Sequence, residues 1–205
     1  MWNWSENQMT IVLIRHGETK ENKEGRYLGK TDASLSKEGE SKLERYKNLH
    51  LFPRLDFLFS SPMKRCVQTA KILYPKQACI QIKEWEEMDF GAFEGKNYIE
   101  LQGNQQYQEW LDSNGRLPFP GGESREEFIA RCDIGFQKML RKVMPLKGGN
   151  VTVGMIVHGG TIMALLSKYG TGEYFDYQVA NGKGYVCIVK NFTTKPQIVE
   201  LKKIW

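Results

Sequence analysis

Histidine is scarce in this chain, three residues in 205, and several other features are absent in ways that exclude whole classes of function. The four cysteines, Cys66, Cys79, Cys132 and Cys187, include no CxxC pair, which argues against a structural zinc site and against a disulfide scaffold. Free thiols suit a reducing, cytoplasmic setting, and Cys66 is the one expected to oxidise first, because neighbouring Arg65 would lower its pKa. No apolar run approaches the ~18–20 residues of a membrane span, so no membrane partner is expected. The opening Met1–Gln8 lacks both the basic start and the apolar core of a signal peptide. Residues 1–9 are expected to be a short extension, packed through Trp2 or Trp4 or disordered. Basic clusters are also missing: 29 Lys and Arg against 24 Asp and Glu give a net charge of +5, dispersed and without an aromatic-interleaved stripe. That balance suits a small anionic substrate and gives no footprint for nucleic acid. No repeat, low-complexity tract or linker is visible, and 205 residues fit a single domain, 1–205.

What is present is an alternation of short apolar, β-branched runs with amphipathic stretches. Strands are predicted at Ile11–Arg15, Asp56–Ser60, Ile80–Lys83, Val151–Val157 and Gly184–Lys190, with Thr194–Ile204 a candidate edge strand. Helices are predicted at Ser36–Asn48, Pro62–Leu73, Tyr98–Leu101, Tyr107–Asp112, Ser124–Val143 and Gly160–Tyr169. The alternation implies an α/β fold, a three-layer α/β/α sandwich around a mostly parallel central sheet. In the longest helix Phe128, Ile129, Cys132, Phe136, Met139, Leu140 and Val143 recur at helical spacing and form a core stripe.

Four segments carry chemistry. Arg15-His16-Gly17-Glu18 follows the first strand, and ligands of α/β sheets bind at such strand ends. Imidazole is a nucleophile at neutral pH, and guanidinium binds phosphate through a planar fork. His158-Gly159-Gly160 stands at a second strand end, where the glycines allow close backbone approach and the following helix aims N–H groups at an anion. The third histidine, His50, is read as structural or solvent-facing. In Ser60-Ser61-Pro62-Met63-Lys64-Arg65, Pro62 is expected to open a helix, placing Arg65 in its first turn, against the dipole, as a residue serving a bound anion. In Trp85-Glu86-Glu87-Met88-Asp89-Phe90-Gly91, a carboxyl among apolar side chains would have a raised pKa and donate a proton to a leaving oxygen.

Together these segments resemble the histidine phosphatase superfamily, the phosphoglycerate mutase-like family. Its opening signature reads here as Leu13-Ile14-Arg15-His16-Gly17-Glu18-Thr19, followed by Asn22, Gly25-Arg26, Gly29, Asp32, Leu35-Ser36 and Gly39. The resemblance implies a phosphoglycerate mutase-like fold and a metal-free, cofactor-free phosphomonoester hydrolase. His16 would form a phosphohistidine. Arg15, Arg65, His158, Asn22 and Gly159 would hold the phosphate, and His158, if protonated, would add positive charge. Glu87, in preference to Glu86, would be the proton donor. Glu21 stands where the family often has tryptophan, which alters the local packing expected there. The stretch between Gly95 and Pro118 is short for a cofactor-dependent mutase and has only Lys96 and Arg116 as basic residues, which favours a phosphatase. Glu87-Met88-Asp89-Phe90-Gly91 and Pro120-Gly121-Gly122-Glu123-Ser124 resemble the α-ribazole phosphatase branch. The alternatives are a phosphoglycerate mutase and a non-catalytic phosphate-binding module. Exposed Trp and Tyr side chains are candidates for a homodimer contact.

Overall fold

A computed structural model describes residues 8–144, 151–192 and 194–204. The described strands are β1 (Gln8–Arg15), β2 (Phe57–Ser60), β3 (Cys79–Gln81), β4 (Val151–Val157), β5 (Gly184–Lys190) and β6 (Gln197–Ile204). They form one sheet in the order β3-β2-β4-β1-β5-β6. The first four run parallel, and β5 and β6 close the far edge as an antiparallel pair. The helices are α1 (Lys20–Lys23), α2 (Lys37–Asn48), α3 (Lys64–Leu73), α4 (Gln105–Asp112), α5 (Arg125–Val143) and α6 (Gly159–Tyr169), with short 3-10 turns at Lys83–Trp85, Gly91–Phe93 and Tyr174–Tyr177.

The period-two alternation of β1 explains why its sequence is almost wholly apolar. Met9, Ile11 and Leu13 point into one core, shared with α5 and α6, while Val12 and Ile14 point into a second, shared with α2 and α3. A strand covered on both faces has no solvent side on which to place a polar residue. The chain turns polar only at Arg15 and His16, where the strand leaves the sheet. Because β4 runs parallel beside β1 with Arg15 opposite Val157, His16 and His158 emerge next to each other.

Several boundaries differ from the sequence-based expectation for identifiable reasons. β1 begins at Gln8, which pairs with Lys190, so Gln8 and Met9 belong to the sheet rather than to an extension. Residues 1–7, with Trp2 and Trp4, lie outside the described residues. Pro62 does not open α3. Met63 is the N-cap and Lys64 the first helical residue, which still leaves Arg65 in the first turn. Tyr98–Leu101 is a turn, not a helix: the Asn97 side-chain oxygen takes the N–H groups of Ile99 and Glu100, and Gly103 ends the run at φ +79°. β3 stops at Gln81 because Ile82 turns into the core and Lys83 enters a 3-10 turn. His50 is exposed, at φ 54°, just beyond α2.

Candidate active site

Everything the sequence singled out for phosphate chemistry comes to the C-terminal end of β1 and β4. His16 is buried, with its ring centroid 5.2 Å from that of His158 at an interplanar angle of 67°. Its Nδ1–H donates to the Gly17 carbonyl at 2.7 Å, which leaves Nε2 as the basic nitrogen. Burial, reinforced by the positive charges of Arg65 and Arg15, holds the His16 pKa well below the ordinary histidine value. The ring is therefore neutral at pH 7, as a nucleophile must be. Gly17 is fixed in turn, since its N–H donates to Thr69 Oγ1 at 2.9 Å and that hydroxyl donates to the Arg65 carbonyl at 2.7 Å.

Arg65 is completely buried, and its fork is clamped. Nε donates to His158 Nδ1 at 3.3 Å, Nη1 to the Thr31 carbonyl at 2.9 Å, and Nη2 to the carbonyls of Gly29 at 3.0 Å and Leu28 at 3.4 Å. These contacts set the tautomer of His158. Nδ1 accepts, so the proton sits on Nε2 and is given to Ser61 Oγ at 2.9 Å. Burial and the neighbouring Arg65 push the His158 pKa well down. The condition for His158 to add positive charge is thus not met: it is a neutral ring held beside His16, and the positive charge of the site comes from the arginines.

Arg15 is anchored by Nη1 to the Val179 carbonyl at 2.8 Å, while its Nε is buried without a partner. An unpaired buried guanidinium donor beside a nucleophilic histidine matches the oxygen of a bound phosphate. A Cβ on Gly159 would approach Arg15 Nε to 3.4 Å, so this glycine lies directly against that donor. Asn22 sits in α1 with its Oδ1 taken by the Thr19 N–H at 3.2 Å and by Asn181 Nδ2 at 3.0 Å, which leaves its own Nδ2 as an available donor.

Glu87 lies on the opposite side. Its Oε1 accepts from its neighbour Met88 N at 3.0 Å, and Oε2 faces the Gly160 N–H at 3.5 Å, in the first turn of α6. Burial raises its pKa above the usual carboxylate range, against the lowering effect of these N–H groups and of Arg65 and Arg15. Gly160 makes this approach feasible: a Cβ there would lie 2.5 Å from Glu87 Oε1. The second glycine of the motif therefore serves the carboxylate, not close approach to a ligand. Glu86 lines the outer cleft with Lys30, Lys83 and Asp89.

Three further residues were not singled out by sequence. Asn181, just before β5, donates to the carbonyls of His16 at 3.2 Å and Gly17 at 3.4 Å as well as to Asn22, tying the signature loop to the far side of the sheet. Ser61 holds His158. Arg131 on α5 donates to the carbonyls of Glu84 at 3.0 Å, Glu86 at 2.9 Å and Glu87 at 3.3 Å, and forks onto Glu123 at 2.9 and 2.8 Å. Its only sequence signal is its place about two turns beyond the cap of α5. Cys66, by contrast, is buried against the His158 ring, 3.6 Å from Nε2, and burial outweighs Arg65 and pushes its thiol pKa up. The expectation that it would oxidise first is overturned.

A parallel-sheet end with two buried histidines, two arginines and a raised-pKa carboxyl is the constellation of a phosphoryl-transfer enzyme that works through a histidine. The family model for the histidine phosphatase superfamily (branch 1) matches residues 11–202, and the chain belongs to that superfamily as an enzyme of its phosphatase class. A 2,3-bisphosphoglycerate-dependent phosphoglycerate mutase of Cytophaga hutchinsonii is 33% identical, over 76% of this chain and 75% of the relative. Phosphoserine phosphatase 1 of Hydrogenobacter thermophilus is 30% identical, over 72% and 70%. The crystal structure of the α-ribazole phosphatase from Shigella flexneri superposes with a TM-score of 0.77 across 93% of this chain and 95% of that one, at 21% identity, a likeness of fold.

Proposed function

We propose that the protein hydrolyses a small phosphomonoester through a phosphohistidine on His16, releasing inorganic phosphate. The observation that carries this reading is the geometry of His16: Nδ1 tied to Gly17, Nε2 unprotonated, and Arg15 with an unpaired donor alongside. In the first step Nε2 attacks phosphorus, the P–N bond forms and the ester P–O bond breaks. Arg15, Arg65 and the Asn22 amide balance the charge on the phosphoryl oxygens, and neutral His158 keeps Arg65 oriented. Glu87 gives its proton to the departing oxygen. In the second step a water attacks the same phosphorus, loses a proton to Glu87, and the P–N bond breaks to return neutral His16 and free phosphate. Positioning and charge stabilisation supply most of what phosphoryl transfer requires. The arginines supply the positive charge in this scheme, which calls for no metal. Free cysteines are compatible with a cytoplasmic setting.

Net hydrolysis is favoured over mutase chemistry by the wall beyond Glu87. Among the described residues, Arg125 is the one cation lining the adjoining cavity, and its Nη2 and Nε already donate to the carbonyls of Asn114 at 2.5 Å and Gly115 at 3.2 Å. A mutase needs a cationic partner there for the carboxylate or second phosphate of its substrate. The mutase reading is kept in view by the relatives that bear that name. α-Ribazole 5′-phosphate is the proposed first substrate to try, on the strength of the motif around Glu87 and of the α-ribazole phosphatase fold. The test is phosphate release from it in EDTA, with 3-phosphoglycerate in parallel. Phosphate release that His16→Ala abolishes supports the reading. Interconversion of 3- and 2-phosphoglycerate with little free phosphate would replace it by a mutase, and a His16→Ala variant retaining a tenth of the activity would eliminate the phosphohistidine.

A further inference from the structure

Beyond Glu87 the structure encloses a cavity of about 200 Å³ that the phosphate chemistry does not use. Glu87 and Gly160 are among its lining residues, so it borders the carboxyl that hands a proton to the leaving oxygen in the proposed reaction. Its walls are aromatic: Tyr27, Phe90, Trp110, Phe119, Tyr174 and Phe175. Phe90 and Phe119 meet edge to face at 5.0 Å and 89°, and Trp110 lies 4.9 Å from Phe119 at 31°, which fixes the ring faces around the space. Arg125 has two of its donors on backbone carbonyls, with its guanidinium 5.2 Å from the Tyr174 ring and 5.1 Å from that of Phe175.

We infer that this cavity receives the leaving group, and that the preferred substrates are phosphomonoesters whose alcohol carries a flat, uncharged ring. The inference rests on the hydrolase reading and names its substrate class. In-line attack by His16 sends the departing oxygen towards Glu87, and whatever is bonded to that oxygen enters the space behind it. A flat ring fills a slot between aromatic faces by offset stacking. A carboxylate or second phosphate would be stripped of water among aromatic faces, where the one lining cation among the described residues already has two donors on backbone carbonyls. Two further observations suit a wall completed by its occupant. The indole N–H of Trp110 is buried without a partner. Helix α4, which carries Trp110, contributes no fully buried residue and is followed by two consecutive left-handed positions, Asn114 at φ 54° and Gly115 at φ 65°.

The test compares alcohol esters of similar reactivity, so that leaving-group chemistry does not confound recognition. Benzyl phosphate, ethyl phosphate and phosphoglycolate are assayed on the wild type and on Trp110→Ala. The expected result is a kcat/KM for benzyl phosphate about 10- to 100-fold above ethyl phosphate and above phosphoglycolate, and a benzyl-to-ethyl ratio that falls towards one in Trp110→Ala. Equal turnover of benzyl and ethyl esters by the wild type, or a preference for phosphoglycolate, overturns the ring subsite and leaves the phosphatase standing. If no ester is turned over, the hydrolase reading fails separately. Calorimetric binding of benzylphosphonate against ethylphosphonate to the wild type then decides the subsite: at least tenfold tighter benzyl binding sustains it, and equal affinity ends it. The same phosphonate pair covers the case in which Trp110→Ala does not fold.

Discussion

In the proposed reaction His16 serves as nucleophile because of what surrounds it rather than because it is a histidine. Two arginines and burial keep the proton off Nε2, and one carbonyl keeps the other proton on Nδ1. Glu87 is shaped by the same burial in the opposite sense, since a buried carboxyl resists ionisation while a buried imidazole resists protonation. The acid and the nucleophile thus reach the protonation states each needs at one pH. Gly160 offers the sharpest residue-scale prediction. Gly160→Ala puts a methyl 2.5 Å from Glu87 Oε1 and 3.0 Å from Phe128, so the carboxyl must shift by about an ångström. Displacement of that order costs ~100-fold in rate. The expected outcome is a kcat reduced about 100-fold with KM and melting temperature little changed; unaltered kcat would show that Glu87 is not the proton donor. His16 and His158 were legible in sequence because a polar residue ending a wholly apolar strand has few structural uses. The neutral state of His158 was not, because it depends on which Arg65 nitrogen reaches it from another strand end.

At the scale of elements, the acid is held by a helix that does not contain it. Arg131 on α5 gathers three carbonyls of the loop 84–87 and leans on Glu123, while Phe128, one turn earlier, packs against Gly160. One helix therefore sets both the loop that bears Glu87 and the helix end that it faces. Arg131→Ala is expected to lower kcat about tenfold while leaving the affinity for inorganic phosphate near the wild-type value, because Arg15 and Arg65, the proposed phosphate ligands, are anchored elsewhere. A matched loss of phosphate affinity would mean that the clamp acts on the whole site. Most elements were readable from their periodicity, and the end of α5 follows the capping pattern of Ser124 with Glu127. The clamp was not readable: arginine to backbone carbonyl contacts leave no trace in a single sequence. The aromatic cavity was equally hidden, since its walls come from several separate segments and each aromatic residue alone reads as core.

For the whole molecule, two neutral buried histidines have a thermodynamic consequence. Their folded pKa values lie well below the ordinary value of about 6.5, whereas unfolding restores it. Below pH 6.5 the unfolded chain takes up protons that the native state refuses, so stability is full above that pH and declines beneath it. Each histidine contributes about 1.4 kcal/mol per pH unit to that decline. Glu87, with its raised folded pKa, opposes it only as the pH nears the carboxylate range. Urea midpoints measured at pH 7 and pH 5.5 should differ clearly in the wild type and less in His158→Asn; a flat wild-type profile would contradict neutral burial. The hydrogen bond from Asn181 to the His16 carbonyl spans 165 positions of the chain. At synthesis rates of roughly 5–20 residues per second, His16 leaves the ribosome's catalytic centre roughly 8–33 s before Asn181 is made. Throughout that interval the nascent chain carries His16 without the residue that ties its backbone carbonyl, so the proposed site is completed only late in translation.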